Sequence, residues 1–473
     1  MDSGAGCAPL AARFPEITAL DASEAYERST KSYWSAIASE AQPACVIVPR
    51  SAIELGEVIR YIAELPGHVE VAIKSGGHTA WSSWKTANGG VLIDLREFEG
   101  VIIDRESSTV SIGAGDKWGD VYLALEPYGL AVAGGRVAHV GVSGLVLRGK
   151  HTFPDALKKA VLDGVSYFSE QKGFVCDSVL QFEVVLASGD VVEVSASTNP
   201  DLFAALKGGS NNFGIVTKLQ MKTFDLERMW GGGTVTDTAA WPSLVEDFYN
   251  FSSAPDQNGT LILARVHTPM ISGVVANVYS SNSVNVSPVL KKMAAVRPQF
   301  MSTIREDTLY EFSKEQADVN PAGARQLFFT TSVKLSKEVL LGSIPLYDAL
   351  FERLKAVPGF VLSMVFQPIT TQTIETSNKI GENALGLTAD NSALVIILVA
   401  VTHQEKADDE AVISGAQALL KDIERLSIRE NAVSNFRYLN YAYKDASVLQ
   451  DYGEGSVDKL KSVSRNFDPN GFF

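Results

Sequence analysis

Lys74-Ser75-Gly76-Gly77-His78-Thr79 follows a short apolar run, Val69 to Ile73, and reads as a loop at the C-terminal end of a strand. A serine followed by two glycines lets successive backbone N–H groups converge with no Cβ in the way, which makes a nest for anionic oxygens. His78, directly after the glycines, sets a nucleophilic imidazole on the rim of that nest. Taken alone, the triplet reads equally well as a plain tight turn.

The surrounding chain favours the nest. Upstream, Cys45 to Pro49 reads as a strand, Ser51 to Glu64 as an amphipathic helix and Val69 to Ile73 as a second strand, a βαβ-like opening. Short strands follow at Gly90–Leu95, Val101–Asp104 and Thr109–Ile112, then a helix at Lys117–Tyr128. Strands at Val179–Leu186 and Val191–Val194 flank the turn Ala187-Ser-Gly-Asp190, a hairpin signal. Two more glycine-rich loops lie in this half, Gly134 to Gly144 (GGRVAHVGVSG) and Lys207 to Thr217 (KGGSNNFGIVT). None is the dinucleotide fingerprint or a Walker A loop. Several such loops spread between residues 74 and 217 suit a long ligand gripped along its length, and FAD is such a ligand.

Length and composition set the outer limits. A chain of 473 residues exceeds one compact core and is expected to form two or three domains. The apolar share of 46% and charged share of 20% are those of a globular protein, not a disordered one. A net charge of -14 repels polyanions, so nucleic acid is not an expected partner. No run approaches the roughly 18 apolar residues of a membrane span. Cys7, Cys45 and Cys176 have no zinc-site spacing, and the odd count leaves at least one thiol outside intrachain pairing. Cys7 with Cys45 is a candidate disulfide if the chain is exported. No signal peptide is visible, so the chain is expected to be cytoplasmic, or secreted with its signal absent from this sequence. The sequons at Asn258 and Asn285 matter only on the secretory route.

From about Leu226 the pattern changes to longer strands (Leu261–Val266, Ala393–Ala400) and helices (Ala240–Phe251, Ile344–Leu354, Asp408–Leu426). This predicts a first domain over 1–225, with two subdomains and a core about 41–225. A second domain covers 226–427, and a C-terminal stretch over 428–473 carries turn and cap signals rather than a core of its own.

The order and content of these segments resemble the FAD-linked oxidase family of the berberine-bridge-enzyme-like type, including its fungal secondary-metabolite members. The matching segments are Val71 to Thr79, Gly134 to Leu147, Leu202 to Thr217, Gly381 to Leu387, and Tyr438-Leu-Asn-Tyr441 with Tyr452-Gly453 and Phe467 to Gly471. The resemblance implies an α+β fold. A vanillyl-alcohol-oxidase-like, PCMH-type FAD-binding domain is joined to an α/β substrate domain with an antiparallel sheet, and the C-terminal segment returns to the flavin. It implies FAD held by Lys74, Ser75, Gly76, Gly77, His78, Thr79, Gly135, Val137, Gly141, Val142, Gly144, Gly214, Ile215, Val216 and Asn440. It further implies one covalent 8α-histidyl link through His78; the cysteine that makes a second link in relatives is replaced here by Val137.

The implied reaction is hydride transfer from a small organic substrate, with molecular oxygen as acceptor. Tyr441 is the implied base, and it needs a positive neighbour or an oriented acceptor because a free tyrosine ionises near pH 10. The expected substrate is a secondary metabolite; carbohydrate oxidation, or flavin binding without turnover, is the alternative. Tyr438 reads as a wall residue, Glu382 as a solvated loop charge, and His139 and Gln367 as candidate substrate contacts. Cys45 and Cys176 read as core residues. The chain departs from the family at Leu147-Arg-Gly-Lys150, where a glycine triplet is broken and residues 150–163 read as an insertion. Pro154 to Leu162 reads as a surface helix beside the cofactor channel or as translated intron sequence. Its effect on flavin loading is the open question the sequence poses.

Overall fold

Ser51 starts the helix Ala52–Glu64 by accepting a hydrogen bond from the Glu54 N–H at 3.2 Å, while the Glu54 carboxylate accepts from the Arg50 N–H at 2.7 Å. Leu55, Val58, Ile59 and Ile62 fall on one face of that helix and pack on Cys45, Ile47, Val71, Val91 and Ile93. The computed structural model describes residues 6–80, 89–147, 164–209, 212–388, 391–443, 448 and 450–473. The segment 150–163, with its expected helix at Pro154–Leu162, lies outside the described residues.

The strands below the helix form a four-stranded sheet in the order Thr18–Leu20, Cys45–Ile47, Val91–Asp94, Val71–Lys74. Cys45–Ile47 and Val71–Lys74 both run parallel to Val91–Asp94, which sits between them. The βαβ-like opening is therefore real, but its two strands are not neighbours. A Cys7–Cys45 disulfide ties the N-terminal helix Cys7–Arg13 to this sheet, with the Cα atoms 5.8 Å apart.

A second, five-stranded antiparallel sheet runs Val101–Asp104, Thr109–Gly113, Ile215–Lys222, Val179–Val185, Val191–Ser195. The expected hairpin is closed by the Leu186 N–H donating to Asp190 O at 2.9 Å, with Gly189 at φ +77°. The expected helix at Lys117–Tyr128 is Trp118–Leu125 followed by a 3₁₀ turn at Glu126–Tyr128.

The remaining sheet has eight strands, all drawn from residues 229–403 and all paired antiparallel. Along Leu394–His403 the side chains alternate between two buried faces. Val395, Ile397, Val399 and Val401 pack under the helices Trp241–Ser253, Lys337–Leu354 and Asp409–Arg429. Leu394 and Ile396 face the other core, with Phe168, Val175, Leu206 and Tyr438. The sheet thus forms a wall over the first half of the chain.

After Arg429 the chain crosses back. Phe436, Tyr438, Ala442, Val448 and Tyr452 enter the first core, and a helix Glu454–Phe467 packs on Pro200–Leu206 through Leu460 and Val463. The sequence reading expected only turns and caps here. Serine, glycine and asparagine lower the intrinsic helix propensity of EGSVDKLKSVSRNF, and tertiary packing overrides it. Among the described residues no helix is long and apolar enough to cross a membrane.

Candidate active site

Three of the loops singled out in the sequence meet at one backbone position, Ala114. The hydroxyls of Ser75 and Ser143 donate to Ala114 O at 2.7 and 2.9 Å, and the Ala114 N–H donates to Thr217 O at 3.0 Å. Gly76 and Gly141 touch backbone to backbone. A Cβ on Gly141 would lie 2.6 Å from Gly76 N, and one on Gly76 would lie 2.5 Å from Gly141 Cα. Gly77 is in the left-handed region at φ +68°. Among the described residues the N–H groups of Ser75, Gly76 and Gly77 donate to no protein acceptor. Three successive such donors beside a glycine–glycine contact fit an anionic cofactor segment. Gly144 faces open space: a Cβ there would meet no protein atom within 4 Å among the described residues.

Other expected cofactor residues take different places. The Lys74 ammonium is buried against Asp94 at 3.1 Å and Ser32 at 2.9 Å, and burial lowers its pKa despite the carboxylate. It braces the loop from below. Gly135 packs on the Trp118 indole, where a Cβ would lie 2.5 Å from Cδ1. Val137 is half-buried beside it, and Val142 is wholly buried in the first core. Gly214 backs onto Val184 and Val185, and Ile215 and Val216 point into core clusters. Thr79 ends the loop half-buried.

The expected covalent link through His78 is corrected by its surroundings. The imidazole stacks on the Trp34 indole (centroids 4.5 Å apart, planes 12° apart), and His139 lies 4.8 Å from it on a tilted plane. Trp34 is locked in turn: its N–H donates to Gly77 O at 3.0 Å, and its Nε1 donates to Asn320 O at 3.0 Å. The same Asn320 carbonyl lies 3.0 Å from His139 Nε2. His78 is thus a member of an aromatic stack, and nothing in the structure identifies it as an attachment point. Among the described residues no His, Cys, Asp and Glu cluster able to hold a metal forms, there or elsewhere. The cysteines are the Cys7–Cys45 disulfide and the buried Cys176.

Tyr441 has the cationic neighbour that its implied role requires. Arg136 Nη2 donates to Gln367 Oε1 at 2.5 Å and to Tyr441 Oη at 3.3 Å, and Tyr441 Oη lies 3.3 Å from Gln367 Oε1. These residues come from the second glycine loop, the large sheet and the C-terminal segment. Tyr167 Oη donates to Arg136 O at 3.1 Å and Tyr122 Oη to Gly135 O at 2.6 Å, so two buried phenols pin the loop that carries the guanidinium. Burial raises the pKa of both phenols, which stay neutral donors. Phe328 packs edge-on to Tyr441 at 5.6 Å and lies 5.1 Å from Trp34, joining this cluster to the histidine stack.

Tyr438 is fully buried, with its hydroxyl accepting from the Val165 N–H and from Asn440 Nδ2, each at 3.1 Å. Burial raises its pKa, and it packs edge-on to Tyr441 at 4.8 Å as a wall. Glu382 is exposed and paired with Lys459 at 3.1 Å, a solvated charge. A cavity of about 660 Å³ lined by Tyr249, Lys334, Lys337 and Glu430 contains none of these residues. Sequence reasoning missed Trp34, Ala114, Arg136 and Phe328 as site residues. Only Arg136, a charge inside an otherwise apolar glycine loop, carried a visible signal.

Known proteins resemble this chain in sequence and fold. A family model described as an FAD binding domain matches residues 43–195. The chain is 29% identical to the FAD-dependent monooxygenase drtC of Aspergillus calidoustus, over 95% of this chain and 84% of that protein. Its fold matches 6-hydroxy-D-nicotine oxidase of Arthrobacter nicotinovorans with a TM-score of 0.79 at 19% identity, covering 96% of each chain. It matches the glucooligosaccharide oxidase of Acremonium strictum with a TM-score of 0.76 at 19% identity, covering 100% of this chain and 97% of that one. The chain carries an FAD binding domain over residues 43–195, has the fold of these flavin oxidases along nearly its whole length, and is an FAD-dependent oxidoreductase.

Proposed function

We propose that this protein oxidises a small hydroxylated secondary metabolite at the Arg136–Gln367–Tyr441 cluster and passes the electrons to oxygen. The observation that carries the reading is the guanidinium within hydrogen-bond distance of the Tyr441 hydroxyl. FAD, when bound, supplies the acceptor for the substrate's hydride. In its phenolate form Tyr441 takes the proton of the substrate hydroxyl, with the Arg136 guanidinium held against the phenolate oxygen before the transfer. Gln367, buried in the large sheet, fixes the orientation of both partners. Trp34, Phe328 and Tyr441 form an aromatic surface suited to a planar substrate.

The cofactor residues are proposed on the same footing. The N–H groups of Ser75 to Gly77 and the open face at Gly144 would hold the anionic part of FAD, with Gly76 and Gly141 keeping the two loops in register. Residues 1–225 would bind the cofactor, 226–427 would form the substrate wall, and 428–473 would bring Asn440 and Tyr441 back to it.

Hydrogen peroxide release on a panel of phenolic alcohols, simple alcohols and oligosaccharides tests the reading. Turnover confined to the oligosaccharides would replace it with carbohydrate oxidation, and no turnover by a flavin-loaded protein would leave a binding protein. The relative named a monooxygenase motivates one further measurement. Oxygen from ¹⁸O₂ found in the organic product, rather than in peroxide, would mark oxygen transfer instead of oxidation.

A further inference from the structure

We infer that the substrate of this site carries an anionic group, a carboxylate or an ionised phenol, seated on Arg136. The inference rests on the reading of the Arg136–Gln367–Tyr441 cluster as the substrate site and specifies the chemistry that site accepts. Its ground is the way this molecule treats its other arginines that are wholly or partly buried. Arg96 pairs with Asp94, Arg265 with Asp348, Arg305 with Asp307 and Glu315, Arg325 with Glu40 and Asp409, and Arg437 with Glu424 and Asp451. Arg136 is partly buried, as Arg96, Arg305 and Arg437 are, yet among the described residues it meets no carboxylate. Its partners are a neutral amide and a phenol, both on Nη2.

A guanidinium stays charged at any ordinary pH, and holding it out of water without a counter-ion is costly. The cost is tolerated when a ligand supplies the anion, because a planar fork grips a planar oxyanion with two parallel bonds. With Nη2 turned to Gln367 and Tyr441, Nε and Nη1 have no protein acceptor among the described residues and remain for that anion. The loop is rigid where the charge sits: Tyr167 and Tyr122 hold the Arg136 and Gly135 carbonyls, and the Ala138 N–H donates to Ser313 O at 3.0 Å. A chain of net charge -14 repels anions over most of its surface, so an isolated, positioned cation is selective for the one place where an anion is wanted. Arg136 is in this respect a specificity-determining residue, acting through affinity rather than through the proton transfer assigned to Tyr441.

The test is calorimetric, on the FAD-loaded protein at pH 8, with benzoate and 4-hydroxybenzoate as probes and benzamide and 4-hydroxybenzamide as neutral counterparts of the same shape. The expected result is at least tenfold tighter binding of the carboxylates, weakened by added salt, lost in Arg136→Gln and partly restored in Arg136→Lys. Carboxylates binding no better than their amides would overturn the inference, as would an undiminished preference in Arg136→Gln. If Arg136→Gln fails to fold, the wild-type preference and its salt dependence decide alone. Turnover separates this inference from the reading beneath it. Equal kcat/KM on neutral and carboxylated alcohols sinks the anionic substrate and leaves the oxidase standing, whereas unchanged turnover in Tyr441→Phe sinks the assignment of the site itself.

Discussion

Replacing Gly141 by alanine tests whether the two glycine loops work as one cradle. The new Cβ would lie 2.6 Å from Gly76 N and 2.7 Å from Gly76 Cα, where ordinary contact begins at 3.4 Å. The deficit is therefore about 0.8 Å at the nitrogen (3.4 minus 2.6), against backbone that has no rotamer to change. Overpacking of this kind costs about 1–3 kcal/mol, relieved only by parting the loops. Parting them moves the Ser75–Gly77 donors by a comparable distance, and misplacement by about 1 Å lowers turnover by roughly 100-fold. Urea unfolding of the apoprotein and FAD retained after exhaustive dialysis are the assays. Gly144→Ala is the companion: its methyl meets no protein atom within 4 Å among the described residues. It should leave apoprotein stability unchanged or slightly raised, so any loss of FAD there reports contact with the cofactor. An apoprotein of wild-type stability and full FAD retention in Gly141→Ala would refute the reasoning.

Other outcomes follow from the same geometry. Tyr441→Phe should lower kcat by about 10²–10⁴-fold while moving the unfolding midpoint little, since Arg136 and Gln367 still bond to each other. Burial pushes the Glu170 carboxyl up to about 7 from its ordinary 4.5, against hydrogen bonds from Thr370 and Thr373 that lower it. The folded state then holds more protons than the unfolded one between those values, so this group's contribution to stability falls as pH rises through that window. Glu170→Gln removes the loss. Its stability relative to wild type should climb from pH 4.5 to 7 by at most roughly 3 kcal/mol, read from urea midpoints across that range. The disulfide closes a separation of 38 residues, so Cys7→Ser with Cys45→Ser should cost about 4 kcal/mol by the chain-entropy relation, measured by urea unfolding against the oxidised wild type.

What was legible in the sequence was what depends on local pattern. The helix Ala52–Glu64 announced itself through a capping serine and apolar residues three and four apart. Most strands of the first two sheets announced themselves through short apolar runs bounded by glycine or proline, but Thr18–Leu20 did not. The glycine loops were visible too, because glycine is the residue that close backbone approach demands, and Gly76 with Gly141 is such an approach. Their convergence on Ala114 was not visible, since alanine has no side chain to signal a carbonyl that accepts two serine hydroxyls. Nor was the partner of Tyr441: Arg136 lies 305 residues away in sequence and meets it only because the C-terminal segment folds back. His78 shows the opposite error. Its position in the motif suggested a reactive rim residue, while its packing against Trp34, far upstream, makes it part of a stack. The helix Glu454–Phe467 escaped notice because its stability comes from Leu460 and Val463 docking on another element rather than from its own composition.

A flavin-loaded form of this chain is proposed to oxidise its substrate through the Arg136–Gln367–Tyr441 cluster. Anaerobic stopped-flow absorbance of the FAD-loaded protein, mixed with the most active alcohol of the panel, measures this step without oxygen or product release. The flavin band should bleach rapidly in wild type and slower by two orders of magnitude or more in Tyr441→Phe, and colour should return with peroxide when air is admitted. Bleaching at the wild-type rate in Tyr441→Phe would contradict the proposal.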